Sequence, residues 1–198
     1  MVIKKKYEIL KILLKDINKK HTVTSLAKER KISRVGSWKL LKELEKEGLI
    51  TLISIGPEKT SVKETSLNWD NPILEKTLVL ILTEDTLKQN KWRYNFKELE
   101  KHVDFLILFG SILHSPNEAN DIDIINLVSN EKNFLKIIKI IENIQITQNK
   151  KIHTINFTKK ELKNELKNKN KAYLDALKKG VILFGQENFI KFIKNMTK

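Results

Sequence analysis

Two short apolar runs joined by a polar loop constrain this chain more than any other feature. The first, Phe105-Leu106-Ile107-Leu108-Phe109, follows Asp104 and ends at Gly110-Ser111. The second follows Asp121-Ile122-Asp123 and runs to Val128, apolar but for Asn126. Apolar runs of this length, bounded by Gly-Ser and polar residues, predict buried strands over Asp104–Phe109 and Asp121–Val128. Successive strand side chains point to opposite faces. Asp121 and Asp123 therefore share one face at the mouth of the second strand, while Ile122 and Ile124 point into the core. Two carboxylates held side by side repel each other unless a hard cation sits between them. Mg2+ accepts such a site, because it takes one or two carboxylates and fills its other positions with water and phosphate oxygens. Gly110 and Ser111 offer backbone N–H groups and a hydroxyl that can hold those phosphates. The pattern points to chemistry on a nucleotide.

Composition bounds the rest. At 198 residues the chain has room for one large domain or two small ones. No apolar run approaches the roughly 20 residues that span a bilayer. The basic start Met1-Val2-Ile3-Lys4-Lys5-Lys6 leads into a charged amphipathic segment rather than an apolar leader. Without cysteine there is neither a disulfide framework nor a thiolate metal site, which fits a cytoplasmic protein with no membrane partner. The formal charge of +14, from 38 Lys plus Arg against 24 Asp plus Glu, favours contact with a polyanion. A second reading stands beside it. Lysine, isoleucine and asparagine crowd the chain and Arg30, Arg34 and Arg93 are its only arginines, as codon bias in a genome poor in G and C would produce.

In chain order, Lys4 to Ile17 carries Ile9, Leu10, Ile12, Leu13, Leu14 and Ile17 at helical spacing. Thr24 is placed to cap a second helix over Ser25–Arg30. Ser33 caps a third over Arg34–Glu47, which is expected to bury Val35, Trp38, Leu41 and Leu44 and to end at Gly48. A strand over Leu49–Ile55, a turn at Gly56-Pro57-Glu58-Lys59 and a strand from about Thr60 to Leu67 complete a hairpin. Three helices and a hairpin in this order, with Thr24 to Glu29 and the Leu44-Glu45-Lys46-Glu47-Gly48-Leu49-Ile50 ending, resemble the winged helix-turn-helix family over about the first 68 residues. The resemblance implies that the third helix enters the major groove of double-stranded DNA. Ser33, Arg34, Ser37, Lys39 and Lys42 would meet bases or phosphates, and Lys59 and Lys63 in the wing would touch phosphates. A winged helix used only for dimerisation or protein docking is the competing reading. Asn71-Pro72 then opens a connecting helix, with Trp92 and Tyr94 packing near its end. The expected organisation is a winged-helix domain over 1–70, a connecting helix over 71–92 and a second domain over 93–198.

The second half continues with a helix from Glu131 to about Ile146 that is expected to bury Phe134, Leu135, Ile137, Ile138, Ile141 and Ile144. A strand over Lys151–Phe157 and a capping box at Thr158-Lys159-Lys160-Glu161 come next. A helix over Ala172–Lys178, a short strand over Val181–Phe184 and a final helix from Gln186 close the chain. The class is α+β. Phe109-Gly110-Ser111, nine intervening residues and Asp121-Ile122-Asp123-Ile124 resemble the signature of the DNA polymerase β-like nucleotidyltransferase superfamily, most closely its minimal prokaryotic members. Lys179 to Gly185 resembles a stretch common near the end of such domains, and the likeness covers roughly 93–190.

The resemblance implies an αβ palm that binds a nucleoside triphosphate with Mg2+ and transfers NMP to a hydroxyl, with ATP as the expected donor. Asp121 and Asp123 would hold the metal and act catalytically, and Gly110 and Ser111 would grip the β- and γ-phosphates. Minimal members are often antitoxins that modify a HEPN-type ribonuclease toxin, which makes such a toxin a candidate partner; a homodimer is a further candidate assembly. The chain departs from the pattern twice. Ser115 stands where a glycine is usual, and the strand Lys151-Ile152-His153-Thr154-Ile155-Asn156-Phe157 lacks the third carboxylate common in active members. His153, Asn156 and Glu161 are the nearby substitutes. The rival function is therefore a DNA-binding regulator whose palm binds nucleotide without turnover.

Overall fold

The computed structural model describes residues 5–57 and 62–197 and divides into two compact units, Met1–Ile81 and Leu82–Lys198. The fold is α+β. A 3-10 turn over Lys5–Tyr7 leads into α1 (Glu8–Lys15), a two-residue strand β1 (His21–Thr22), α2 (Val23–Arg30) and α3 (Arg34–Lys46). The strands β2 (Ile50–Ile55) and β3 (Val62–Leu67) pair antiparallel, and β1 adds to the free edge of β3 through His21 opposite Thr65. Helix α4 (Pro72–Leu87) follows, capped by the Asn71 side chain, which accepts from the Ile73 N–H at 2.9 Å. The division between units falls inside this helix.

The core of the first unit holds Ile9, Leu10, Leu14, Leu26, Leu41 and Leu44, all fully buried. Removing water from apolar surface is the main stabilising term here. Several local expectations change. The cap of α2 is Thr22 rather than Thr24: Thr22 leaves β1 extended, its hydroxyl accepts from Ser25 N–H, and Ser25 Oγ accepts from Thr22 N–H. The buried face of α3 runs through Ser37, Leu41 and Leu44, whereas Val35 is 66% exposed and Trp38 half-buried. Helix α3 ends in a Schellman motif, with Gly48 at φ +69, its N–H on the Glu45 carbonyl and the Leu49 N–H on the Leu44 carbonyl.

The second unit is built on a four-stranded sheet of order β6-β5-β4-β7, from β4 (Phe105–Phe109), β5 (Asp121–Leu127), β6 (Lys151–Phe157) and β7 (Val181–Phe184). Only the β5–β6 pair is parallel; β4 runs antiparallel to both of its neighbours. Helix α5 (Asn90–Asn95) and a 3-10 turn over Lys97–Lys101 precede β4, α6 (Asn133–Ile146), α7 (Lys159–Lys167) and α8 (Lys171–Lys179) lie between the strands, and α9 (Gln186–Thr197) follows β7. One cluster joins Leu106, Leu108, Ile122, Ile124 and Ile152 of the sheet to Ile137, Ile141 and Ile144 of α6. Leu135 and Ile138 fall on the opposite side of α6, 71% and 42% exposed, because only the i, i+4, i+7 stripe meets the sheet. Phe105, on the other face, meets Phe189 and Phe192 edge-on at ring-centroid separations of 5.3 and 5.7 Å. No helix among the described residues is long and apolar enough to cross a membrane.

Candidate functional site

The site grows from register. Asp121 opens β5 and Asp123 follows two residues on, so both carboxylates stand on one face. In the parallel pair with β6, Asp121 lies opposite Lys151 and Asp123 opposite His153. His153 therefore projects from the same face as the two aspartates, with Nδ1 3.5 Å from both Asp121 Oδ2 and Asp123 Oδ1. One donor atom from each of the three residues lies within 4.8 Å of the others. The arrangement is partly open, with side-chain exposures of 34%, 25% and 46% for Asp121, Asp123 and His153.

Of the three substitutes for the missing carboxylate, only His153 joins the aspartates. Asn156 turns to the opposite face, where buried Asn126 donates to both Asn156 Oδ1 and Thr154 Oγ1 at 2.9 Å. Glu161 is engaged in its own helix start, accepting from the Thr158 N–H and hydroxyl at 2.8 Å. The position of His153 follows from the parallel β5–β6 pairing. It is the third residue of its strand, as Asp123 is of β5, so aligning the strand starts in parallel brings the two together.

The electrostatics follow from that geometry. Burial, and then the neighbouring Asp121 carboxylate, raise Asp123 above the ordinary carboxylate value, while His153 pulls it part of the way back. Both raising effects would be relieved by a cation. Two carboxylates and an imidazole form a donor set that a divalent ion accepts, so the residues present fit such a metal.

Gly110 completes the near wall. It ends β4 at φ +85, and a Cβ placed there would fall 2.4 Å from Asp123 Oδ2. Only glycine brings the strand end this close to the carboxylate. Exposed Ser111 starts a 3-10 turn over Ser111–Leu113, and its carbonyl accepts from the His114 and Ser115 N–H groups at 3.0 and 2.8 Å. Among the described residues only Lys31 and Lys169 are non-glycine positions with positive φ. Ser115 therefore sits where the usual glycine is dispensable. Lys150 ties the far side of the loop to the start of β6, donating to the carbonyls of Asn117 and Ala119.

In the first unit, Ser33 is the exposed cap of α3, its Oγ accepting from Gly36 N–H at 2.9 Å. Arg34, Lys39 and Lys42 are exposed on that helix. Lys42 Nζ lies 2.7 Å from Glu45 Oε2 and 5.0 Å from the Trp38 ring centroid. Ser37 requires correction: it is fully buried and its hydroxyl donates to the Val23 carbonyl at 3.3 Å, so it holds α3 to α2 instead of facing a ligand. Arg34 and Lys63 line one groove of about 330 Å³ with Thr22, Thr24, Trp38 and Val62. Lys63 Nζ also donates to Ser54 Oγ across the hairpin. Lys59 lies outside the described residues.

Residues 94–187 match the family model described as Polymerase beta, Nucleotidyltransferase. That stretch holds β4, β5, β6, β7 and the whole Gly110–Asp123–His153 constellation. It supports a nucleotidyltransferase domain, and with it a triphosphate substrate and a divalent metal in general terms. No curated protein and no solved structure matches the chain significantly.

Proposed function

We propose that the C-terminal unit binds a nucleoside triphosphate, ATP being the expected donor, with Mg2+ or a similar divalent ion, and transfers its nucleotidyl group to a hydroxyl. The observation that carries this reading is the convergence of Asp121, Asp123 and His153 beside Gly110 and Ser111. Asp121 and Asp123 would hold the metal, with His153 as third donor in the place of a carboxylate. When bound, the ion would neutralise charge on the phosphate oxygens of an in-line displacement. The Ser111 hydroxyl and the N–H groups of its turn orient the β- and γ-phosphates. The acceptor oxygen bonds to the α-phosphorus as the bond to the bridging oxygen breaks and pyrophosphate leaves. With Nδ1 given to the ion, Nε2 of His153 would carry the ring hydrogen and act as a donor, so the proton of the attacking hydroxyl would pass to solvent water.

The N-terminal unit, in this reading, is a winged helix-turn-helix that recruits duplex DNA through Arg34, Lys39, Lys42 and Lys63. What supports it is the order of three helices and a hairpin, the shared groove of Arg34 and Lys63, and the net charge of +14. A HEPN-type toxin is the acceptor class to test first. The second reading is a DNA-binding regulator that holds nucleotide without turnover. It is favoured by one observation, that β6 supplies His153 and no carboxylate.

The test uses each of the four α-labelled ribonucleoside triphosphates with Mg2+, with and without a candidate toxin. Label appearing on the acceptor, and lost in Asp123→Ala, supports transfer. Nucleotide binding with no label on any acceptor favours the regulator. Neither binding nor transfer sinks both readings of the palm.

A further inference from the structure

The N-terminal unit gathers a second donor set, independent of the palm. Asp16 caps the C-terminal end of α1, His21 opens β1, and Glu29 lies in the last turn of α2. One carboxylate oxygen from each acid and one imidazole nitrogen lie within 4.8 Å of one another. Proximity of this kind is common in solvated acidic corners and carries nothing alone. The distinguishing observation is His21 itself. It is 2% exposed, and neither ring nitrogen makes a hydrogen bond of good geometry, the Asp16 backbone offering only a weak contact. Its Nε2 points into the cluster, 3.8 Å from Asp16 Oδ2, beyond hydrogen-bond length. A buried imidazole whose Nε2 faces two carboxylates without a hydrogen bond calls for an explanation, and a ligand atom between the three side chains supplies one.

We propose that Asp16, His21 and Glu29 bind one Zn2+ ion, with water completing the shell. The chemistry selects the metal. A nitrogen with two carboxylate oxygens suits zinc better than Mg2+, which prefers an all-oxygen octahedron. Tetrahedral zinc with bonds near 2.0–2.2 Å needs donors roughly 3.4 Å apart. Donors now up to 4.8 Å apart have to close by up to about 1.4 Å to reach it, within the reach of their rotatable bonds. Lys19, whose Nζ lies 3.6 Å from Glu29 Oε2 and whose side chain is 45% exposed, is one cation now beside the acids. It can withdraw to solvent when a divalent ion takes that place. The ion would tie the end of α1, the β1 edge and α2 together, and so couple metal binding to stability of the unit.

The test uses the full chain carrying Asp121→Asn and Asp123→Asn, which removes the donor set of the palm. After chelator treatment, calorimetric titration is expected to show one Zn2+ per chain, bound at least tenfold more tightly than Mg2+, with a raised unfolding temperature. Asp16→Asn and Glu29→Gln, added singly to that background, are each expected to weaken Zn2+ binding by about tenfold or more. His21→Gln is expected to abolish it. If that variant does not fold, the ring 15N signals of His21 in the parent report directly, since Nε2 must shift on Zn2+ addition. Absence of the Zn2+ equivalent, or binding unchanged by both carboxylate substitutions, would overturn the proposal.

Discussion

His153 stands directly opposite Asp123 across the parallel β5–β6 pair, with its Nδ1 3.5 Å from the Asp123 Oδ1 and equally far from Asp121 Oδ2. An imidazole thus occupies the place opposite the aspartates where an active palm usually presents a carboxylate. Imidazole shifts preference toward borderline metals, whereas a third carboxylate favours Mg2+. His153→Asp is expected to tighten Mg2+ binding by about tenfold, because an added charge near the ion outweighs the extra repulsion among the acids at an effective dielectric near 20. His153→Ala should weaken Mn2+ or Zn2+ more than Mg2+. Calorimetric titration of each ion into the three proteins checks both directions.

Asp123 also sets a pH dependence. Its folded-state value is raised above the ordinary 3.8 by burial and by Asp121, so the metal-free fold holds more protons than the unfolded chain in the window just above 3.8. The contribution of Asp123 to the stability of the metal-free protein is therefore fully present below that window and falls as pH rises through it. A divalent ion needs the ionised form, so its stabilising effect grows over the same window. Unfolding temperatures with and without Mg2+ are expected to diverge as pH climbs from about 4 to 7, following the mass-action relation for a ligand of the folded state. Asp123→Asn should leave the two curves together.

Gly110→Ala tests the near wall. The new Cβ would fall 2.4 Å from Asp123 Oδ2 at a φ of +85, a conformation costing a non-glycine residue about 1–3 kcal/mol. The expected result is lower stability by about that amount together with weaker nucleotide binding. Thermal unfolding and a nucleotide titration separate the two. Unchanged binding would place the phosphates elsewhere.

These relationships were unequally legible in the amino-acid sequence. The run from Phe105 is apolar on both sides of the strand and that from Ile124 is apolar but for Asn126, and so they announce a buried sheet. Thr158 and Glu161 announce a helix start with the same clarity. Asp121 and Asp123 share a face by strand parity alone, which local sequence contains. His153 joins them only through the partner and register of β6, which are tertiary facts. The inward face of α3 was misjudged for a related reason. Val35, Trp38, Leu41 and Leu44 are the apolar members at steps of three, but the polar Ser37 fits beneath α2 through its bond to the Val23 carbonyl, and Val35 is left outside. Thr22 displaced Thr24 as cap because β1 holds it extended, and a two-residue strand leaves no periodic signal.

The duplex-binding reading separates Arg34 from Ser37. Arg34→Ala is expected to weaken binding across sequences and reduce the salt slope by about 1 if it contacts a phosphate. Ser37→Ala removes one buried hydrogen bond, worth about 0.5–1.5 kcal/mol of stability, and should leave the slope unchanged. Affinity for a duplex measured against salt concentration, alongside denaturant unfolding, distinguishes the two. A slope indifferent to Arg34 would confine this unit to protein contacts.

Asp121, Asp123 and His153 are proposed to seat a divalent ion and a triphosphate together. The most direct measurement is calorimetric binding of ATP, CTP, GTP and UTP with Mg2+, with Mn2+ and with chelator, on the parent and on Asp121→Asn/Asp123→Asn. The expected result is binding of at least one triphosphate that requires the divalent ion and disappears in the double variant. Binding that persists in that variant, or no binding of any triphosphate with either metal, would contradict it.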